Sequence, residues 1–376
     1  MIRPPRILIC YLVRNSGHHA AARAIEAQVR RLNPMAEIRC LDLLETTHPT
    51  WSAIVQYAYM STIRRTPELW EALYDNFWFD LLTRRYIRPL VQRGNSLKLR
   101  ILMDAFQPDA IICTQAHPFA VLSAYARRQG QPIPIWGVVT DFIPHRFWHV
   151  PPADHIHYVV PNDTAQQRLM ILGTPADNIH IHGIPIQANI LAARGRTITR
   201  ENGRRVLVMG GSRGLGARYA TIRHLDRAHA EFTIDVVTGT NRRLRRKLLA
   251  ARHKFRHPIR IRGYVKDAMA LMHRASLLIG KPGGMTSAEA MACGTPMLII
   301  RPLPGQERGN TETLVRNGAA IHLDRDRDLP AIVSSLFANP SLLEMMAARA
   351  RAIGQPGAAR DIAVAVLGAI PPEEAE

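Results

Sequence analysis

The sequence predicts an α/β protein built from two Rossmann-like, doubly wound domains. Three observations support this prediction: an apolar run, a glycine-containing loop and an amphipathic helix open the chain, the same unit starts afresh near residue 205, and a third glycine turn near residue 283 separates two apolar runs. Alternation of apolar strands with helices is typical of parallel sheets covered by helices. A length of 376 residues is also an ordinary size for two domains.

The first unit lies at residues 7–32. Residues 7–13 form an apolar run that predicts a buried strand, and residues 17–32 carry apolar side chains at helical spacing. The loop between them reads Arg-Asn-Ser-Gly-His-His and places His18 and His19 at the start of the helix. A second strand is predicted at residues 38–44.

An insert at about residues 50–105 interrupts the alternation and is helical, aromatic and basic. Aromatic rings beside a basic helix face suit the interface of an anionic bilayer. A helical subdomain packed on the core with a solvated basic face would give the same pattern, so both interpretations stay open. The residues predicted to meet a membrane here are Trp70, Trp78, Arg84, Arg85, Arg88 and Arg93.

The alternation then resumes, with strands predicted at residues 110–114, 133–140, 156–160 and 179–182. Asp141, His145 and Trp148 follow the second of these strands, at the kind of strand end where open α/β sheets bind ligands. Residues 186–204 are basic and without pattern, which places the domain boundary there. We therefore predict domains at residues 1–190 and 204–376.

The second domain is predicted to start with a strand at residues 205–209 and the loop Gly-Gly-Ser-Arg-Gly-Leu-Gly. Further strands are expected at residues 232–238, 259–262 and 277–279, and residues 329–367 are expected to be helical. The strand at 277–279 leads into Gly-Lys-Pro-Gly-Gly, then into a helix from about residue 285 to Gly294, and then into an apolar run at residues 295–300.

The segment 280–310 has the chemistry of a sugar-nucleotide site. A glycine turn at Gly283 and Gly284 that leads into a helix presents free N–H groups and a positive dipole end, which suit phosphate. Glu289 could accept hydrogen bonds from the two hydroxyls of a ribose. Gln306 and Glu307, beside Gly305, add an amide and a carboxylate suited to sugar hydroxyls.

The composition indicates an anionic partner. The formal net charge is +19, and charge alone does not choose among a nucleic acid, an acidic membrane surface and an anionic ligand. No recognised nucleic-acid-binding motif is present. The four cysteines form no CxxC pair, and neither a zinc pattern, a signal peptide nor an apolar run long enough to span a bilayer is seen.

Several segments resemble the monogalactosyldiacylglycerol synthases and the bacterial processive diacylglycerol glucosyltransferases, which are GT-B glycosyltransferases. They are SGHHAAARAI, VVTDFIPHRFWHVPPADHIHYVVPN, HIHGIPI, VLVMGGSRGLG and LIGKPGGMTSAEAMACGTPMLIIRPLPGQERGN, in the same order as in the family. The enzyme that adds N-acetylglucosamine to the peptidoglycan lipid intermediate is a more distant relative. One departure is the first loop, where the family usually has two or three glycines before the histidine and this chain has Asn15-Ser16-Gly17.

The resemblance implies an inverting transfer of galactose or glucose from a UDP-sugar to 1,2-diacylglycerol at the cytoplasmic face of the membrane. It implies two domains facing across a cleft, with His18 as the base and Asp141 orienting it or holding the acceptor hydroxyl. His145 and Trp148 would line the acceptor side. The implied donor residues are Gly211, Ser212, Arg213, Gly283, Gly284, Met285, Thr286, Glu289, Gln306, Glu307 and Asn310.

The expected partners are a UDP-sugar, diacylglycerol or a similar lipid, and an anionic membrane surface. No cofactor or metal is expected, because helix N–H groups and cations can neutralise a diphosphate in place of a metal ion. No nucleic acid is expected either, because no recognised binding motif is present. Two alternatives remain: a transferase acting on an undecaprenyl-linked lipid or a sterol, and a UDP-sugar epimerase of the same architecture. The loops lack the G-x-G-x-x-G pattern of a dinucleotide dehydrogenase.

Overall fold

The structure is a computed structural model, and it describes residues 3–46, 96–130, 132–187, 203–211, 216, 218–303, 305 and 307–370. These residues form two compact units. The first consists mainly of residues 3–187 together with 357–370, and the second consists of residues 203–303 and 307–356. Each unit contains one parallel sheet, as the sequence predicts, and each sheet has six strands. The strand at Ala320–Leu323 in the second unit was not predicted.

The first unit has the strand order β2-β1-β3-β4-β5-β6, and every pair of neighbours is parallel. Its strands are β1 (Arg6–Tyr11), β2 (Glu37–Asp42), β3 (Ala110–Cys113), β4 (Ile135–Val138), β5 (Ile156–Val160) and β6 (Ile179–Ile181). Its helices are α1 (Gly17–Leu32), α2 (Ser96–Phe106), α3 (Ala116–Gln129) and α4 (Asp163–Ile171).

The central strands of this sheet are buried on both faces. Side chains of β1 alternate between two apolar clusters: Leu8 packs with α2 and α3 on one face, and Ile7 and Ile9 pack with α1 on the other. Both faces of a parallel sheet must be covered in this way, which explains why β1 and β3 are continuous apolar runs. The sheet is therefore a rigid support for the loops at its carboxyl edge.

The second unit has the strand order β12-β11-β10-β7-β8-β9, again all parallel. Its strands are β7 (Arg205–Met209), β8 (Thr233–Val237), β9 (Ile259–Arg262), β10 (Leu277–Gly280), β11 (Met297–Ile300) and β12 (Ala320–Leu323). The helices are α5 (Tyr219–Leu225), α6 (Arg242–Ala250), α7 (Met269–Arg274), α8 (Gly284–Cys293), α9 (Arg308–Arg316), α10 (Leu329–Ala338) and α11 (Pro340–Ile353).

The end of the chain differs from the prediction in its domain assignment. The segment 329–367 is helical as predicted and consists of three helices. Asn339 and Pro340 separate α10 from α11, and residues 354–357 separate α11 from α12 (Ala358–Gly368). The predicted second domain runs to residue 376, whereas α12 packs on α1 in the first unit through Ile362, Ala363 and Val366.

Most of the predicted basic-aromatic insert, including all six of its membrane residues, lies outside the described residues. Only its end is described, as α2, where Leu99, Leu102 and Met103 are buried in the core of the first unit. For residues 96–106, the structure therefore supports a helix packed on the core. None of the described helices is by itself long and apolar enough to cross a bilayer. One pair of segments reaches that length and composition when taken together: Asp326–Ala338 and Pro340–Gly368, with a bend of 96° between them.

Candidate active site

The carboxyl ends of β1, β3 and β4 bring three polar residues together in the first unit. His18 follows β1 at the start of α1, Thr114 directly follows β3, and Thr140 follows β4 by two residues. These strands are neighbours in the sheet. Because all three run parallel, the loops that follow them emerge at one edge, the usual place for ligand sites in such sheets.

The β1–α1 loop is tightly constrained. Ser16 is the N-cap of α1, and its hydroxyl accepts from the His19 N–H at 3.2 Å and donates to the carbonyl of Leu12 at 3.1 Å. Val13 and Asn15 both have left-handed backbone, with φ of 66° and 61°. This conformation is costly for a β-branched residue. Among the positions where the family usually has glycines, Asn15 adopts this conformation without glycine, whereas Ser16 has an extended backbone with φ of −88°.

His18 is held through one ring nitrogen. Its Nδ1 lies 3.0 Å from the carbonyl oxygen of Thr114 and 2.9 Å from the hydroxyl of Thr140. The Thr114 hydroxyl also donates to the backbone carbonyl of His18 at 2.9 Å. A carbonyl oxygen can only accept, so Nδ1 carries the proton and Nε2 of the neutral ring keeps its lone pair. This is the tautomer that a general base needs.

Burial keeps this imidazole neutral. The pKa of His18 falls from 6.5 to about 4 because the ring is desolvated, although the bond to the Thr114 carbonyl opposes the shift. His18 is thus fully unprotonated at neutral pH and able to accept a proton from a bound hydroxyl.

His19 has the opposite arrangement. Its Nδ1 accepts from the Asn15 N–H at 3.3 Å, and its ring lies against Tyr11 with ring centroids 4.5 Å apart. With Nδ1 as acceptor, the proton of the neutral ring is on Nε2. The geometry therefore favours His18 over His19 as the base, in agreement with the sequence interpretation.

The loop after β4 carries the other predicted acceptor residues. Asp141 is partly exposed and directly follows Thr140, whose hydroxyl contacts the His18 ring. That Asp141 orients His18 or holds the acceptor hydroxyl stays a prediction. His145 is partly exposed and contacts the rings of Phe147 and Trp148 at centroid distances of 5.6 and 6.3 Å.

Trp148 requires a correction. The sequence assigned it to the acceptor or membrane side, but only 2% of its surface is exposed. It packs against Phe119 in the core, and its carbonyl accepts from the Tyr158 hydroxyl at 3.1 Å. An aromatic side chain buried in this way stabilises the loop and has no surface to offer a lipid.

The glycine turn of the second unit follows β10 and leads into α8. At Gly280, a Cβ would lie only 2.6 Å from the carbonyl oxygen of Met209 on β7, so no other residue fits there. Gly283 is the N-cap of α8, and Gly284, Met285 and Thr286 form its first turn. The sequence predicted this turn and helix, and the N–H groups of such a turn are the ones an anion can use.

Lys281 and Glu307 form an ion pair beside this turn. Only 3% of Glu307 is exposed, and its carboxylate also accepts from the Leu303 N–H at 2.8 Å. The Lys281 side chain also lies next to Gly211, which follows β7 in the same unit. A Cβ at Gly211 would be 3.6 Å from the Cε of Lys281. Glu307 was predicted to bind sugar hydroxyls; in the structure its carboxylate pairs with Lys281 and fixes the loop.

Asn310 is fully buried, and its side-chain amide donates to the carbonyl of Pro282 at 2.9 Å. It therefore ties α9 to the glycine turn. Gly211 lies at the end of β7 with φ of 72°. The other predicted donor residues, Ser212, Arg213 and Gln306, lie outside the described part of the chain.

Glu289 lies one turn into α8 and is partly exposed. Burial, and then the carboxylate of Asp267, raises its pKa from 4.5 to about 7. A carboxylate in this environment gains from hydroxyl groups that donate to it, because they stabilise its charged form. The environment is therefore suited to the predicted ribose contact.

Three residues of the site were missed in the sequence: Thr114, Thr140 and Lys281. Thr114 and Thr140 are the last residues of two predicted strands, and Lys281 follows a third by two residues, so their place at strand ends is the signal that could have found them. The partners of His18 were harder to foresee, because one of them is a backbone carbonyl.

Comparison with known proteins identifies the two units. Residues 18–186 match the family model described as monogalactosyldiacylglycerol (MGDG) synthase, and residues 205–362 match the glycosyltransferase family 28 C-terminal domain. The chain is therefore similar to monogalactosyldiacylglycerol synthases in its first unit and to family 28 glycosyltransferases in its second. Two relatives named processive diacylglycerol beta-glucosyltransferase are similar over most of both chains. The Bacillus cereus protein is 27% identical over 98% of this chain and 94% of its own, and the Bacillus subtilis protein is 29% identical over 91% and 89%.

Solved structures with a similar fold support the GT-B fold class. The crystal structure of Acinetobacter baumannii MurG matches with a TM-score of 0.63 and 16% identity over 97% of this chain and 100% of that one. Anabaena HepE in complex with UDP-glucose matches with a TM-score of 0.56 and 13% identity over 96% and 99%. At these identities the likeness concerns the fold alone. The predictions of fold class and of family are confirmed.

Proposed function

We propose that the protein transfers a hexose from a UDP-sugar to the free hydroxyl of 1,2-diacylglycerol, with inversion at the anomeric carbon. The observation that carries this proposal is the geometry of His18, whose Nδ1–H is held by the Thr114 carbonyl so that Nε2 is free to accept a proton. Relatives named diacylglycerol glucosyltransferases support the acceptor and the transferred hexose.

His18 acts as the base in this proposal. The diacylglycerol hydroxyl gives its proton to Nε2 as its oxygen attacks the anomeric carbon. The imidazolium that forms is stabilised by the Thr114 carbonyl, 3.0 Å from Nδ1, and by the Thr140 hydroxyl at 2.9 Å. Both are acceptors already in place, so little reorganisation is needed when the charge develops.

The second unit binds the donor. The N–H groups of the first turn of α8 and the ammonium of Lys281 stabilise the departing diphosphate. Glu289 accepts hydrogen bonds from the ribose hydroxyls, and Gln306 and Glu307 bind the hexose. These charges and N–H groups can stabilise a diphosphate without a metal ion, and we propose a metal-independent reaction.

One base and one leaving group are sufficient for a single displacement. The relatives' names specify a β-glucosyl product, and one inversion converts the α-linked sugar of UDP-glucose into a β-linked product. We further propose that the reaction takes place at the cytoplasmic face of the membrane, where a water-soluble nucleotide sugar and a lipid acceptor meet.

The test is incubation of the protein with UDP-glucose, UDP-galactose or UDP-N-acetylglucosamine and vesicles that contain diacylglycerol, followed by mass spectrometry of the lipids. A diacylglycerol product with one added hexose is expected, and its β linkage by NMR would establish inversion. Addition of EDTA should leave the rate unchanged. Parallel vesicles with undecaprenyl phosphate-linked acceptors or sterols, and chromatography of the nucleotide sugars for epimers, test the alternatives; product only in one of those assays would replace the proposal.

A further inference from the structure

The second unit carries a concentrated positive surface that the donor site does not use. Residues 242–262 contain ten arginines and lysines and no aspartate or glutamate. They are Arg242, Arg243, Arg245, Arg246, Lys247, Arg252, Lys254, Arg256, Arg260 and Arg262. We call these ten residues the basic surface. The formal charge of the whole chain is +19, so this short segment holds a large share of it.

The fold exposes every one of these cations. Helix α6 buries Leu244 and Leu248 against the sheet, which leaves its five basic residues in water. A short turn at Arg252–Lys254 continues the surface, and β9 completes it. Because β9 is the last strand of its sheet, its alternate side chains Arg260 and Arg262 are exposed at that edge.

Within the part of the chain that the structure describes, acidic partners do not neutralise this surface. Among the described residues, Arg262 alone of the ten lies within 4.0 Å of a carboxylate, that of Asp235. Asp226 is buried nearby, but it accepts from the backbone N–H groups of Arg256 and His257 and from Arg223. Surfaces of folded proteins usually intersperse charges of both signs, and an unbalanced field of this size attracts polyanions.

Two apolar side chains lie next to these charges. Leu249, on α6, is 43% exposed, and Tyr264, just after β9, is 58% exposed. Lysine and arginine beside a few exposed aliphatic and aromatic groups is the composition of surfaces that rest on anionic bilayers, since the cations meet headgroups and the apolar groups enter the interface.

We propose that the basic surface docks the second unit onto an anionic lipid bilayer. The predicted membrane contacts of the insert belong to a different part of the sequence, so this is a second and separate contact. A bilayer is favoured over a nucleic acid because the exposed apolar groups suit an interface and no nucleic-acid-binding motif is present. The role of this docking, to bring the protein to a lipid acceptor in the bilayer, rests on the proposed function. The binding to the bilayer does not depend on that function.

The test compares two variants of equal charge. Arg242, Arg243 and Arg246 are replaced by Glu in the first. Acidic residues at the start of a helix interact favourably with its dipole, so α6 is expected to stay folded. The control variant carries three Arg-to-Glu replacements at exposed positions elsewhere in the second unit, Arg316, Arg327 and Arg349. Circular dichroism and thermal unfolding verify that both fold.

Binding is measured by sedimentation with phosphatidylcholine vesicles that contain about 30 mol % phosphatidylglycerol, a content that gives a substantial negative surface potential. Each cation near such a surface changes partitioning about fivefold, so the α6 variant should lose roughly 100-fold. The control variant should lose much less, and wild-type binding should weaken in 0.5 M salt, which shortens the screening length to about 4 Å.

Equal losses in the two variants would mean that net charge alone matters, and the proposal would be overturned. The same follows if wild-type protein fails to bind the vesicles, or if the α6 variant loses binding to RNA or DNA but keeps binding to vesicles.

Transfer to short-chain diacylglycerol in neutral detergent micelles separates this proposal from the proposed function. Turnover in these micelles should be equal for both variants and the wild type. If the wild type showed no turnover, the proposed transferase function would be contradicted, but the docking of the basic surface on a bilayer would not.

Discussion

The Nδ1 atom of His18 lies 3.0 Å from the carbonyl oxygen of Thr114, and this one contact determines which ring nitrogen can act as a base. The contact joins the loop after β1 to the end of β3, two strands whose residues pair from Ile7 with Ala110 to Cys10 with Cys113. The tautomer of the base is thus set by the register of the sheet. A backbone carbonyl cannot be removed by substitution, so the histidine and its second partner are the groups to test.

Replacing His18 by Ala should lower the rate of transfer by about 10²–10⁴-fold, the usual contribution of a general base. The dissociation constant for UDP, measured by calorimetry, should stay within about twofold, because His18 lies in the first unit and the proposed donor residues lie in the second. His19→Ala is the matched control, and its loss should be far smaller. If His18→Ala turned over at the wild-type rate, His18 would not be the base.

Thr140→Val tests the positioning of the ring. Valine keeps the shape of threonine but removes the hydroxyl 2.9 Å from Nδ1, leaving the Thr114 carbonyl as the remaining partner. The loss of one hydrogen bond of about 1 kcal/mol should reduce kcat about fivefold. Thr140→Ser, which keeps the hydroxyl, should restore most of it, and KM for the UDP-sugar should not change. A larger effect on KM than on kcat would point to substrate binding rather than to support of His18.

The sequence predicted both sheets, the glycine turn and the family, because parallel strands are continuous apolar runs and glycine turns are local signals. It did not predict the burial of Trp148, since aromatic residues after a strand suit both a lipid surface and a core. It also missed Lys281 as the partner of Glu307, because 26 residues separate them and only the fold brings them together. The packing of α12 on the first unit was missed for the same reason.

Glu289 should make stability depend on pH in a predictable direction. Its pKa is about 7 in the folded protein against 4.5 for the free side chain, so the folded state binds the proton more tightly and the free energy of unfolding falls as pH rises from about 4.5 to 7. His18, with its pKa lowered to about 4, acts in the opposite direction between about pH 4 and 6.5. The comparison with Glu289→Gln isolates the first effect.

In urea unfolding, Glu289→Gln and wild type should differ little at pH 4.5, and the Gln variant should become the more stable of the two by up to about 3 kcal/mol at pH 8. UDP binding should weaken about tenfold in the same variant, because an amide is a poorer acceptor for ribose hydroxyls than a carboxylate. A stability difference that did not vary with pH would contradict the raised pKa, and an unchanged UDP affinity would exclude the ribose contact.

Lys281→Met should destabilise the protein through Glu307. Glu307 is 3% exposed, and without the ammonium its buried carboxylate would lose the cation that compensates its charge. Removing one partner of a buried ion pair costs about 3–5 kcal/mol. The double variant Lys281→Met with Glu307→Gln should recover much of that loss, because the amide carries no charge, and urea unfolding of the four proteins gives the coupling energy.

Arg308→Met is the matched control for this pair. Arg308 forms an exposed ion pair with Glu312 at 2.9 Å on the neighbouring helix α9, and exposed pairs contribute at most about 1 kcal/mol. Lys281→Met should also weaken binding of UDP more than binding of uridine, since the ammonium is proposed to act on the diphosphate, whereas Arg308→Met should affect neither. Equal losses for UDP and uridine would show that Lys281 only supports the loop, and equal destabilisation by both single variants would show that the Lys281–Glu307 pair is not a buried one in solution.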